Sequence, residues 1–299
     1  MLKELTPTII KTWLTLVTST FNVYEIWNEV GIKSAQGKNH LRVILFRLEE
    51  QGVIVNLGGG KYRKIDNTAH LVDWQQADPN KTVPLLFPFG EHDLCKVFPK
   101  SIIIVAGSKN AGKTAYLYNF IKLNMTKFGI DLYNSETSPE QMNERFSPLD
   151  IPNPAPFNVY ERYDNFADVV NPDRISVIDY LDLNSEVYLV GAEIDAIFRK
   201  LVNGVAIVAL QKPPPAVVIV KGIKKLVERD LAYGGGFTAK RAILYITMGS
   251  SHLKLLYVKT PRKAQVNPNN MQWSFRISED GIHFEDIQRY YVNEDDYDS

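Results

Sequence analysis

Residues 102–122 read IIIVAGSKNAGKTAYLYNFIK. A β-branched apolar run suits a buried strand, and the stretch after Gly112 has the length and composition of a helix. Between them, Gly107 to Thr114 follow the spacing G-x-x-x-x-G-K-[ST]. A strand that turns through such a loop into a helix aims several backbone N–H groups at one anion, at the positive end of the helix dipole. Gly107 and Gly112 permit the curl. Lys113 can reach the β- and γ-phosphates, and Thr114 can offer its hydroxyl to Mg²⁺. The residues Gly107, Ser108, Lys109, Asn110, Ala111, Gly112, Lys113, Thr114 and Ala115 are therefore candidates for binding a nucleoside triphosphate. The competing reading is an ordinary glycine turn.

The chain of 299 residues is long enough for one large or two ordinary domains. With 45% hydrophobic and 23% charged residues it reads as globular with ample core. Lys+Arg and Asp+Glu are equal at 34 each, so total charge points to no partner, and only its distribution can. The single cysteine, Cys95, excludes a disulfide within the chain and argues against a cysteine-based zinc site. That usage fits a reducing cytosol. The start, MLKELTPTIIKTWL, lacks a signal-peptide core and cleavage site, and no apolar run has the length of a membrane span. The expectation is a cytoplasmic protein with no membrane attachment.

Residues 1–66 read as three helices and a hairpin. Ile9, Ile10, Trp13, Leu14, Leu16 and Val17 fall at helical spacing, and Asn22 suits the cap of a second helix that Gly31 ends. A third helix, about 35–51, puts Leu41, Ile44, Leu45 and Leu48 on one face. VIVNLGGGKYRKI then reads as two strands around three glycines. This layout resembles a winged helix. Residues 67–90, with Asp78-Pro79-Asn80 and prolines at 84 and 88, read as a connector. Strands and helices alternate over 91–290, as in a mostly parallel α/β sheet. Strands are expected at 102–106, 130–134, 174–179, 205–210, 242–248 and 254–259. A terminal hairpin is expected near 272–277 and 282–287. Residues 291–299 are too polar to pack and read as an acidic disordered tail.

Three polar residues follow the later strands. In GIDLYNSETSPEQMNERF, Ser138 suits a helix N-cap, Pro139 the first helical position and Gln141 the capping-box return. Glu136 therefore stands outside that helix, at the carboxyl edge of the sheet where ligands of open α/β sheets bind. There it could polarise an attacking water. As a lone loop acid it could equally be solvated. RISVIDYLDL runs β-branched residues into Asp179, the form of a Walker B segment whose acid helps hold Mg²⁺, with Asp182 a weaker choice. GVAIVALQKPP ends in Gln211, an amide that could sense the γ-phosphate or simply finish a strand.

This order of parts resembles the RecA/DnaB ATPase core. YNSETSPEQMNERF is similar to the DnaB-type segment in which a catalytic glutamate follows the second strand, and VIDYLDL to its Walker B. RDLAYGGGFTAKRAILYITM and KLLYVKTPRK continue in the same order. The resemblance spans roughly 90–290 and is stronger up to about 212. It implies a RecA-like fold, ATP and Mg²⁺ as ligands, and a homo-oligomeric ring or filament. Glu136 would be the catalytic base, Asp179 and Thr114 the metal-side residues and Gln211 the sensor. DnaB-type proteins usually carry Lys-x-Arg after the last core strands. Here Lys259-Thr260-Pro261-Arg262 has one residue more, and Arg262 is the better candidate for a finger reaching a neighbour's site, ahead of Lys259.

Two basic stretches suggest nucleic acid. Between residues 212 and 241 lie Lys212, Lys221, Lys224, Lys225, Arg229, Lys240 and Arg241, against Glu228 and Asp230 alone. With Gly234-Gly235-Gly236, the segment resembles the loops that follow single-stranded DNA in RecA/DnaB rings, where cations and mobile backbone track phosphates. In the N-terminal module Lys38 and Arg42 mark the third helix, and Lys61 and Arg63 the hairpin, as for duplex contacts. Solvated basic faces are the competing reading. From Glu279 to Ser299 there are eight acids and one Arg, a tail that solubilises, binds a basic partner or covers the DNA channel. The functional expectation is an ATP-dependent DNA motor of replication, recombination or repair. The alternative is an ATP-controlled assembly or regulatory protein, such as a helicase loader, transposition regulator or annealing protein, that unwinds nothing.

Overall fold

The computed structural model describes residues 5–17, 20–69, 71–181, 189–220 and 223–290. The chain divides into two compact units, Met1–Ala77 and Asp78–Ser299.

In the first unit, helix α1 (Pro7–Leu16) starts where the Thr6 side chain accepts from the Ile9 N–H. Strand β1 (Thr20–Asn22) leads into α2 (Val23–Glu29), whose N-terminus is closed by a capping box between Asn22 and Glu25. Helix α3 (Ala35–Glu50) is capped by Ser34. The hairpin β2 (Ile54–Gly58) and β3 (Lys61–Lys64) turns through Gly58, Gly59 and Gly60, all at positive φ. Strand β1 joins it to give a three-stranded antiparallel sheet in the order β1-β3-β2. Ile10, Trp13, Leu14, Phe21, Ile26, Leu41, Ile44, Leu45, Leu48 and Ile54 form the core. Each such buried side chain contributes about 1.5–3 kcal/mol. The helices and hairpin fall where their periodicity and glycines put them. Strand β1 is an addition.

The second unit is built on nine strands. In chain order they are β4 (Ser101–Gly107), β5 (Ile130–Asn134), β6 (Asn158–Glu161), β7 (Ile175–Asp179), β8 (Val205–Gln211), β11 (Ala242–Met248), β12 (His252–Val258), β13 (Gln272–Ile277) and β14 (Phe284–Tyr290). A separate hairpin, β9 (Ala216–Val220) with β10 (Ile223–Val227), stands outside this sheet. The sheet order is β14-β13-β12-β11-β4-β8-β7-β5-β6. From β11 to β6 all neighbours are parallel, and β12 to β14 add antiparallel strands at the other side.

Side chains of β4 alternate between two cores. Ile103 and Val105 pack with α4 (Lys113–Asn124) and α5 (Pro139–Phe146), while Ile102, Ile104 and Ala106 pack with α6 (Leu189–Lys200). A mostly parallel sheet covered by helices on both faces is the RecA-like layout expected from the sequence. One strand, β8, lies between the strand that feeds the glycine loop and the strand that ends in Asp179.

Three features were not expected. Strand β6 is exposed along all its length, so it shows no hydrophobic alternation. The basic segment 212–241 carries the hairpin β9–β10 rather than loop alone. Leu85, Phe87 and Phe89, inside the stretch read as a connector, are buried in the second unit's core, and Glu91 beside them is fully buried.

Candidate functional site

The parallel register brings the strand ends to one edge. Gly107 is level with Gln211 on one side and Met248 on the other, and Asn134 is level with Asp179. At that edge a cavity of about 390 Å³ is lined by the loop Lys109–Ala115 with Glu136, Arg145, Tyr180 and Gln211, and by Ile277 and Asp280–Ile282 of the terminal hairpin.

The loop is shaped by its glycines. Gly112 has φ +88° and Asn110 φ +61°, and helix α4 begins directly after Gly112. A Cβ at Gly107 would stand 2.7 Å from the Lys113 side chain, and one at Gly112 2.8 Å from Ile277 Cδ1. Both positions therefore require glycine, as the motif implies. The first-turn N–H groups of α4 have no acceptor within the helix, and Lys113, Thr114 and Ala115, which carry them, line the cavity.

Lys113 Nζ donates to the carbonyls of Gly107 and Ser108 at 3.2 and 3.0 Å and to Gln211 Oε1 at 3.1 Å. Burial lowers its pKa, while Asp179 and Glu136 pull the other way. Gln211, from a strand that is distant in sequence, thus meets the loop lysine directly. Thr114 Oγ1 donates to Asp179 Oδ1 at 3.3 Å. Asp179 is buried, and desolvation pushes its pKa up to about 6 despite the Thr114 hydroxyl. A buried carboxylate whose one side-chain hydrogen bond among the described residues is a long hydroxyl contact suits a hard cation. Together with the adjacent Thr114 hydroxyl it fits Mg²⁺, which binds through one or two protein oxygens and phosphate rather than an all-protein cage. No group of three or more His, Cys, Asp or Glu that could hold a metal occurs among the described residues.

Glu136 is exposed on the loop between β5 and α5, and its N–H donates to Asn134 Oδ1 at 3.4 Å. Asn134 also binds Thr137 through N–H and hydroxyl, so its amide sets the loop's course. The capping box of Ser138 and Gln141 then starts α5 as expected. Asp182 lies outside the described residues.

Arg262 is exposed, and its Nε donates to the His92 carbonyl at 2.8 Å. It follows β12, whose Val258 pairs with Leu244, the residue level with Ile103 at the start of β4. Arg262 therefore stands at the sheet edge opposite its own glycine loop. Lys259, also exposed, donates to the Lys240 carbonyl.

Of the basic residues in 212–241, Lys224, Arg229 and Lys240 are exposed. Lys212 is buried, its ammonium held by Glu228 at 3.3 Å and Thr247 at 3.2 Å. It follows β8 directly, which carries it into the fold instead of onto the surface. Arg241 is held by Asp195 at 2.5 Å and lies over the Phe198 ring. Lys221 and the side chain of Lys225 lie outside the described residues, as does the acidic tail 291–299. In the first unit Arg42, Lys61 and Arg63 are exposed, and Lys38 sits 4.2 Å over the Trp27 ring.

The sequence reading missed two contributors. Arg145, in the last turn of α5, lines the cavity. The turn 278–283 reaches α4 through Asn119 Nδ2, which donates to the Ile282 carbonyl at 2.8 Å. Its Asp280 carboxyl is held well below the usual range by hydrogen bonds from Ser278 and His283. No local motif marks such a wall, because it depends on β13 and β14 folding back beside the loop.

No family model matches the sequence, and no curated protein matches it. Among solved structures the chain is similar to the RadB recombinase at 15% identity and a TM-score of 0.45, covering 64% of this chain and 94% of that one. It is similar also to a KaiC-like protein from the hyperthermophilic archaeon Pyrococcus horikoshii OT3, at 14% identity and 0.48, covering 71% and 100%. The fold assignment rests on strand order and direction. No helix among the described residues is long and apolar enough to cross a membrane.

Proposed function

We propose that the chain is an ATPase of the RecA/DnaB class that acts on DNA. The observation that carries this reading is the meeting of Lys113, Thr114, Asp179 and Gln211 at one sheet edge, with Glu136 lining the same cavity. The loop N–H groups and Lys113 would bind the phosphates, and Thr114 with Asp179 would hold Mg²⁺. When bound, the metal ion would neutralise charge on the β- and γ-phosphates. Glu136 would take a proton from the attacking water. Gln211, already bonded to Lys113, would register the γ-phosphate and pass its presence to the segment that begins at Lys212.

Arg262 supports a shared site. Its position across the sheet from its own loop removes it from its own reaction, so it would serve a neighbouring copy in a ring or filament. Single-stranded DNA would follow the exposed cations Lys224, Arg229 and Lys240. Three helices with a three-stranded sheet support reading the first unit as a winged helix, with Arg42, Lys61 and Arg63 toward duplex phosphates.

A second reading, an ATP-controlled assembly protein without unwinding activity, draws on the internal pairing of Lys212 and Arg241. That pairing removes two cations from the strand-tracking segment. One experiment separates the two. The motor reading expects single-stranded DNA to stimulate ATP hydrolysis. Assembly on duplex DNA without such stimulation would leave the regulator.

A further inference from the structure

A second cavity, of about 620 Å³, lies away from the glycine loop and is lined by Pro213, Arg229, Leu231, Tyr233, Leu256 and Tyr257. Ligand pockets commonly have this size. Two local irregularities shape it. Strand β12 carries a bulge: Tyr257 is level with Tyr245 and Leu255 with Ile246, which leaves Leu256 without a level partner on β11. Such an insertion re-aims the side chains around it. Leu256 and Tyr257 accordingly line one cavity, although neighbours in a regular strand point to opposite faces. On the loop side, Gly234 has φ +93°, and Gly235 combines φ +54° with ψ −132°. A Cβ at Gly235 would meet nothing within 4 Å, so glycine serves the turn of the chain there, and the space beside it is open.

The loop wall is anchored. The Tyr245 hydroxyl accepts from the Ala232 N–H at 2.9 Å and meets Thr238 Oγ1 at 3.0 Å. Thr238 Oγ1 in turn donates to the Gly235 carbonyl at 2.8 Å, and the Tyr233 N–H donates to the Gln211 carbonyl at 3.0 Å. Held in this way, Tyr233 and Tyr257 each stay 42% exposed at the cavity. The charges at its rim are unequal. Asp230 is matched by Lys254 at 2.9 Å, and Glu228 by Lys212. Arg229 between them is exposed, and no hydrogen bond or ion pair engages it among the described residues. The rim thus carries one free cation beside two half-open aromatic rings.

We propose that this cavity takes one unstacked base of a DNA single strand, with Tyr233 and Tyr257 as its stacking partners and Arg229 on the adjoining phosphate. The role rests on the reading that a strand follows residues 212–241. That reading needs only cations along a backbone, and the cavity adds a contact with a base. An aromatic peptide side chain would fill the space without using Arg229. A free guanidinium at the rim suits a ligand whose flat part is joined to an anion, as in every nucleotide. All four bases present a π-face, and a mostly apolar lining reads little else, so the site holds a base without choosing a sequence.

The test uses the full-length protein with a non-hydrolysable ATP analogue. A labelled oligothymidylate is compared with an abasic deoxyribose-phosphate chain of the same length. Wild type should prefer the thymidine strand by about tenfold or more, in the range of stacking on an aromatic side chain. Tyr257→Ala should reduce that preference to about two- to threefold and leave the salt dependence unchanged. Tyr257→Phe keeps the ring and should retain the preference. Arg229→Ala should do the reverse, lowering the log–log salt slope by about 0.7 while keeping the preference. Tyr233→Ala, in the loop, carries the test if Tyr257→Ala melts more than a few degrees low. Irradiation of a strand containing 5-iodouracil should crosslink it to Tyr233 or Tyr257. Equal wild-type affinity for both strands, an undiminished preference in both alanine variants, or crosslinks confined to other residues would overturn the base pocket while leaving strand binding intact. Free dTMP that binds as tightly as the strand would make this a mononucleotide site and overturn the proposal too. Wild-type protein that binds neither strand would overturn the reading of residues 212–241 with it.

Discussion

Glu91 offers a measurable consequence of the core's construction. Its carboxyl is fully buried, accepting from the Phe89 N–H at 2.9 Å and the Tyr116 hydroxyl at 2.8 Å. Burial raises its pKa from 4.5 to about 7, against the hydrogen bonds that favour the charged form. At about 1.4 kcal/mol per tenfold, that change amounts to on the order of 3 kcal/mol. The raised pKa fixes the sign. Below pH 4.5 the group is protonated folded or unfolded, and its contribution is fully present. Between 4.5 and about 7 the unfolded chain ionises first, so stability is lost as pH rises, and above about 7 the loss is complete. Glu91→Gln mimics the protonated form: its amide oxygen can take the Phe89 N–H, and its NH₂ can donate to the Tyr116 oxygen. Urea unfolding of both proteins, followed by tryptophan fluorescence from pH 4.5 to 8, isolates the effect, because other titrations cancel in the difference. Wild type should lose about 3 kcal/mol relative to the glutamine variant across that range. A difference that stays within about 0.5 kcal/mol, or that moves in wild type's favour as pH rises, would refute the reasoning.

Two further outcomes are expected. Gly112→Ala combines a φ of +88° with a Cβ 2.8 Å from Ile277 Cδ1, so it should cost about 1–3 kcal/mol in denaturant melts and weaken ATP binding. ADP and ATP titrations should report the loss together. Replacing Lys224 and Arg229 by alanine should flatten the dependence of single-strand affinity on salt by about 1.4 in log–log slope. An unchanged slope would move the strand-binding surface elsewhere.

Much of the site was legible because each of its residues carries its signal locally. The glycine loop follows from a fixed spacing. Asp179 and Gln211 end apolar runs that could only be buried strands. The Ser138 and Gln141 box located the start of α5 and so put Glu136 outside it. What escaped depends on contacts between distant segments. Lys212 reads as one more cation in a basic stretch, and only Glu228 and Thr247 show that it is buried. Arg145 gains its place from the stacking of Phe146 on Tyr118, which no periodicity encodes. Glu91 needs Tyr116 as a partner before a buried acid makes sense. The strand β6, exposed throughout, has no alternation to read.

The central claim is that the loop at residues 107–114 binds a nucleoside triphosphate that Glu136 helps to hydrolyse. Parallel measurement of ATP affinity and turnover in wild type, Lys113→Ala and Glu136→Gln tests it most directly. Lys113→Ala should lose binding. Glu136→Gln should keep ATP affinity within about threefold while its turnover falls by about 10²–10⁴-fold. Turnover in Glu136→Gln equal to that of wild type would remove Glu136 from the base role and contradict the account.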